Sequence, residues 1–169
     1  MYRIGIVTIS DKGARGERLD ESGERIREMA GTLGLIESYQ VIPDDPGTIK
    51  NTLLHLVDHM KLDLVLTTGG TGLGPRDNTP EATLAVIERE APGLAEAMRL
   101  ESLKKTSRAM LSRAVAGVRH STLIVNLPGS VRAVEDCLSI ILPALPHGLD
   151  MLTGRSGECG SSYKNDRIF

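Results

Sequence analysis

Tryptophan is absent from this chain, phenylalanine occurs once and tyrosine three times. So few rings leave no platform for stacking unpaired bases. The net charge of −2 provides no cationic field for a polyanion. Nucleic acid is therefore not the expected partner. No apolar run approaches the ~20 residues of a membrane helix, so no membrane partner is expected either. The opening MYRIGIVTIS reads as a strand and lacks the n-region and cleavage site of a signal peptide. The only cysteines, Cys137 and Cys159, have no metal-type pair spacing, and a reduced, cytoplasmic setting is the expectation. Cys137 sits on an apolar helix face, and Cys159 in GECG lacks an activating neighbour. There is no internal repeat and no long linker. A single domain over residues 1–152 is expected, with a flexible Gly- and Ser-rich tail over 153–169.

What is present is an ordinary globular balance. Of 169 residues, 40% are hydrophobic and 25% charged, enough for one real core. Residues 3–9, 35–42, 62–66, 115–119 and 122–127 read as strands. Helical spacing covers 20–33, 48–60, 80–90, 92–103 and 131–145, with Gly34 stopping the first and Pro143 bending or ending the last. Ser10 to Gly13 reads as turn chemistry. Strands alternating with helices of this length imply an α/β fold with a mostly parallel sheet and helices on both faces. The short His120-Ser121 connection implies one antiparallel strand near the end.

The most distinctive stretch is LDLVLTTGGTGLGPRDNTPEAT, residues 62–83. A buried strand runs into a loop holding Gly69, Gly70, Gly72 and Gly74, then into a helix with Thr79 as the expected N-cap and Pro80 in its first turn. Strand, glycine loop and helix start form the layout used to bind phosphate, because glycines let the backbone approach an anion. Two common nucleotide loops are excluded. A P-loop requires Lys then Ser/Thr where Pro75 and Arg76 stand, and Gly70, Gly72 and Gly74 are too tightly spaced for a dinucleotide fingerprint.

Asp44 follows the second strand and Asp77 the third. In a doubly wound sheet both reach the same edge, where two carboxylates beside phosphates can hold Mg²⁺. Each also has a plainer reading, Asp44 as a turn former and Asp77 as a helix-start charge. Asn126-Leu127-Pro128-Gly129-Ser130 ends another strand and offers a second anion site or a simple turn. Lys104, Lys105, Arg108, Ser112 and Arg113 form a basic cluster expected on a solvated face. His55 and His59 share a helix face, but no third metal ligand accompanies them.

Taken together, TTGGTGLGPRDNTPEAT, the preceding PDD, LIVNLPGS, IGIVTISDKG and ILPALPHGLDML resemble the molybdopterin adenylyltransferase family, including the enzyme domain fused into gephyrin. The resemblance covers about residues 3–152. It implies a three-layer α/β/α sandwich, usually trimeric, that joins ATP and molybdopterin into adenylylated molybdopterin and pyrophosphate with Mg²⁺. By that resemblance Asp44 and Asp77 serve catalysis and metal binding. Thr68, Gly69, Gly70, Thr71, Gly72, Arg76, Ser112, Asn126, Pro128 and Gly129 belong to the pterin and nucleotide site, and the product passes to a molybdenum-insertion protein. A non-catalytic molybdopterin-binding protein or scaffold of the same fold is the alternative. Two departures are Asn78, where valine is common, and the lack of a second proline after Gly129.

Overall fold

A computed structural model describes residues 1–155; the expectations for Cys159 and for residues 156–169 lie outside them. Alternating side chains along the strands build two cores on opposite faces of one sheet. Ile4 and Ile6 of β1 (Tyr2–Ile9), Leu64 and Leu66 of β3 (Leu64–Thr68), and Leu123, Val125 and Leu127 of β6 (Thr122–Leu127) point one way. They meet α2 (Glu21–Ala30), α5 (Pro92–Leu103), α6 (Val131–Ile141) and α7 (Leu145–Thr153). Val7, Ile9, Val65 and Ile124 point the other way, onto α3 (Pro46–Leu54) and α4 (Thr79–Leu84). This is the three-layer sandwich that a period of two on buried strands demands.

The sheet has six strands in the order β2-β1-β3-β6-β5-β4, where β2 is Gly34–Ile42, β4 Arg89–Glu90 and β5 Ala116–Arg119. β2, β1, β3 and β6 run parallel, and β5 pairs antiparallel with both neighbours. The expected hairpin is therefore present, with His120 in the left-handed region at φ 52°. Parallel pairing sends the carboxyl ends of four strands to one edge, where a doubly wound sheet places its ligands.

Several boundaries differ from the periodic pattern. Helix 80–90 stops at Leu84, because the Glu88 and Ala91 N–H groups bond Val118 and Ala116 carbonyls and draw the chain in as edge strand β4. Helix 20–33 ends at Ala30, and Gly34 starts β2 opposite Tyr2. The turn after β1 is a one-turn helix, α1 (Asp11–Ala14), capped by the Ser10 hydroxyl. Helix 48–60 starts at Pro46 under an Asp45 cap and finishes in a π-helical turn, His55–His59. The basic stretch contains a 3₁₀ turn, Ser107–Leu111. Pro143 separates α6 from α7, and α7 extends to Thr153 before Gly154 closes it at φ 68°.

Candidate functional site

Four strand ends converge on a cleft of about 250 Å³. β1 brings Thr8, Ile9 and Ser10, β2 leads to Asp44, β3 brings Thr68, Gly69 and Gly70, and β6 leads to Gly129. Arg18, Asp20, Glu21 and Asp77 complete the walls. Two of the carboxylates named from sequence, Asp44 and Asp77, are thus neighbours in space despite their separation in the chain.

The glycine loop is shaped by its backbone. Gly69 has φ 96° and Gly70 φ 64°. A Cβ on Gly69 would lie 2.3 Å from the Ile9 carbonyl oxygen, and one on Gly70 would lie 2.3 Å from the Thr79 hydroxyl. Only glycine satisfies both the torsion and the close approach. The Thr79 hydroxyl donates to the Gly69 carbonyl at 2.9 Å, and its N–H donates to the Gly70 carbonyl at 3.1 Å. Thr79 is therefore the first residue of α4 and a strut for the loop, while Asn78 takes the N-cap position without a side-chain bond. The N-cap expected at Thr79 thus lies one residue earlier, at Asn78. Thr68 donates to the Pro128 carbonyl at 2.7 Å, tying the glycine loop to the turn after β6. The N–H groups of Gly70 and Gly129 meet no protein acceptor among the described residues, so two backbone donors in the cleft wall remain available to an anion.

Asp44 is half-buried. Burial pushes its carboxyl above the ordinary carboxylate range, assisted by the charges of Asp11 and Asp77 and opposed by a backbone bond and Arg76. Asp77 accepts from the Gly74 N–H at 2.8 Å and closes the far side of the loop. Arg76 points elsewhere. Its guanidinium grips Asp11 in a two-point ion pair, Nε to Oδ2 at 2.7 Å and NH2 to Oδ1 at 2.9 Å, and also donates to the Asp44 carbonyl at 3.1 Å. This contact holds the Asp11 carboxyl below its usual range.

Asn126 is not brought into the cleft. It is fully buried on the α4 face of the sheet, with its amide donating to the Thr67 and Thr83 hydroxyls at 3.0 and 2.9 Å. Its carbonyl oxygen accepts from the Val115 N–H at 3.3 Å. Thr71, within the loop, is buried. Ser112 lies across the Pro128–Ser130 turn, in a second groove of about 490 Å³ between α5, the 3₁₀ turn and α6. That groove is also lined by Arg99, Lys105, Arg108 and Cys137.

Two residues carry more of the site than the sequence suggests. Arg113, expected on a solvated face, turns inward instead. Its N–H bonds the Thr71 carbonyl at 2.9 Å and its Nε the Gly72 carbonyl at 2.7 Å, and its remaining nitrogens reach Asp77 and Glu81. A glycine loop exposes carbonyls that need donors, and that need is the one clue a sequence could offer. Asp20 caps α2 at the Gly23 N–H and accepts from Thr8 and Tyr39. Burial, with Asp20 second, pushes the Tyr39 phenol upward.

A family model described as "Probable molybdopterin binding domain" matches residues 5–147. A molybdopterin adenylyltransferase of Helicobacter pylori strain J99 is 40% identical over 154 residues, covering 89% of this chain and 88% of the relative. The Escherichia coli K12 molybdopterin adenylyltransferase is 44% identical over 140 residues, covering 80% of this chain and 71% of the relative. The crystal structure of the molybdopterin biosynthesis enzyme MoaB from Thermus thermophilus superposes with a TM-score of 0.87 at 53% identity, covering 91% of this chain and 98% of that one. Matched along nearly its whole described length in both sequence and architecture, the chain belongs to the molybdopterin-binding domain family that includes the molybdopterin adenylyltransferases.

Proposed function

We propose that this protein transfers AMP from ATP to the terminal phosphate of molybdopterin. The observation that carries the reading is one cleft that joins a glycine loop, two backbone donors and two carboxylates at the carboxyl edge of the sheet. A phosphate oxygen of molybdopterin attacks the α-phosphorus of ATP, the bond from that phosphorus to the β-phosphate bridge breaks, and pyrophosphate leaves. A phosphate nucleophile is already ionised at neutral pH, so no general base is needed. The protein's tasks are to bring two anions together and to hold them in line. The Gly70 and Gly129 N–H groups suit the phosphates, and the larger groove beside Ser112 suits the ring system of a substrate.

Asp44 and Asp77 are hard oxygen ligands that suit Mg²⁺. The described residues hold no cluster of three or more metal-binding side chains, which fits an ion shared with substrate phosphates rather than caged by protein. Bound there, it would offset phosphate charge. We further read residues 1–152 as one domain in a cytoplasmic homotrimer that hands its product to a molybdenum-insertion protein. No helix among the described residues is long and apolar enough to cross a membrane. α5 and the 3₁₀ turn expose Leu100, Leu103, Met110 and Leu111, apolar surface suited to a subunit contact. A monomer by light scattering at micromolar concentration would refute the trimer.

Mass spectrometry after incubation with Mg-ATP and molybdopterin tests the reaction. A gain of one AMP on the pterin is expected. Pterin bound but unmodified would make the protein a carrier and overturn the reading as an enzyme.

A further inference from the structure

We propose that Asp11, in the turn after β1, is a positioning residue of this site that acts by seating Asp44. The two residues exchange hydrogen bonds reciprocally. The Asp11 N–H donates to Asp44 Oδ2 at 2.9 Å, and the Asp44 N–H donates to Asp11 Oδ1 at 3.0 Å. Arg76 closes the ring by gripping both Asp11 oxygens and the Asp44 carbonyl. Two turns from neighbouring strands, β1 and β2, are thereby locked to the segment that follows the glycine loop.

The consequence falls on the free oxygen of Asp44. With Oδ2 held by the Asp11 N–H, Oδ1 is the Asp44 oxygen turned toward Gly70, 3.4 Å from where a Cβ would stand. A carboxylate presented to bound phosphates must not rotate away, and one fixed on its far oxygen cannot do so without breaking a charge-assisted bond. Asp11 itself does not line the cleft, so its influence on substrate is indirect. Arg76 belongs to the same device: its charge is spent on holding Asp11 in register, which leaves the cleft's backbone donors to meet the phosphates. The inference rests on the reading of Asp44 as a working carboxylate of the site.

The test uses Asp11→Ala and Asp11→Asn in the full chain. Asn keeps an oxygen for the Asp44 N–H, whereas Ala does not. Amide hydrogen exchange at Asp44 should be slow in wild type and Asp11→Asn, and ~10-fold faster or more in Asp11→Ala. In adenylyl transfer, Asp11→Ala should lower kcat ~10-fold or more, with half-saturating ATP and molybdopterin nearly unchanged, and Asp11→Asn should restore most of the loss. In an Asp44→Ala background, Asp11→Ala should lower turnover no further. Unchanged exchange at Asp44 would overturn the proposal. So would an undiminished effect of Asp11→Ala without Asp44, or a loss of turnover that merely tracks a fall in Tm and substrate affinity. If wild type transfers no AMP, the assigned reaction falls, and the exchange experiment still decides whether Asp11 seats Asp44.

Discussion

Asn126→Ala should unfold the protein more than it impairs the site. Asn126 is fully buried and its side-chain amide makes three hydrogen bonds, two as donor to Thr67 and Thr83 and one as acceptor from the Val115 N–H. These join β6 to β3, to α4 and to the segment entering β5. At roughly 1 kcal/mol net for each bond, alanine should cost about 3 kcal/mol. For a domain of this size that is a fall in Tm of roughly 6–12 °C. Differential scanning calorimetry measures it directly. Molybdopterin affinity, measured well below the variant's Tm, should stay within about twofold once corrected for the folded fraction. Asn126→Asp adds a pH signature. A carboxylate among two hydroxyls and an amide would have its proton affinity raised by burial above that in the unfolded chain. Its charged form is then penalised, so this variant should be more stable at pH 5 than at pH 8. A Tm within 2 °C of wild type, paired with a large loss of pterin affinity, would refute the reasoning and return Asn126 to the substrate-contacting role implied by family resemblance.

Asp77→Asn should keep the Gly74 bond through its amide oxygen and leave Tm nearly unchanged, while adenylyl transfer falls ~10²-fold; near-normal turnover at matched Mg²⁺ would remove the metal role. Arg113→Ala strips donors from the Gly72 and Asp77 carbonyls, so half-saturating ATP should rise ~10-fold in steady-state kinetics; protease sensitivity at residues 70–76 should rise with it. At the opposite edge of the sheet, Arg119 holds the Asp58 carboxyl below its usual range through a two-point ion pair. Its folded proton affinity is lower than its unfolded one, so this stabilisation is present above the ordinary carboxylate value of about 4 and is lost as pH falls through the depressed one. Asp58→Asn should therefore melt below wild type at pH 7 and alongside it near pH 2, as thermal unfolding across that range would reveal.

The layered architecture was legible because buried strands carry their own signature. Leu64 to Thr68 is entirely buried, and an apolar run flanked by helical periodicity has few other resting places. The proximity of Asp44 and Asp77 was legible as well, since parallel strands deliver their carboxyl ends to one edge. Side-chain direction was not. Asn126 stands in the strand that leads into the cleft, yet strand alternation turns its amide toward α4. From the sequence Arg76 belongs to the glycine loop, and Arg113 to a basic cluster expected on a solvated face. One pairs with Asp11 and the other feeds the loop carbonyls, and those partners are set by tertiary placement. Thr79 fits every local rule for an N-cap, but the loop carbonyl of Gly69 competes for its hydroxyl. The end of α4 was misplaced because local helix propensity continued past Leu84, while pairing with β5 drew Arg89-Glu90 into the sheet.

Ser112 and Arg113 are adjacent in sequence but serve two compartments. The serine lines the larger groove, and the arginine grips the loop that walls the cleft. The peptide unit that joins them is planar, and its N–H donates to the Thr71 carbonyl of the glycine loop at 2.9 Å. A shift of the Ser112 backbone on occupation of the groove would pass through these bonds to the glycine loop, and the reverse holds for occupation of the loop. In kinetic language, the two substrates should bind with coupled affinities, each changing the other's by the same factor whichever enters first.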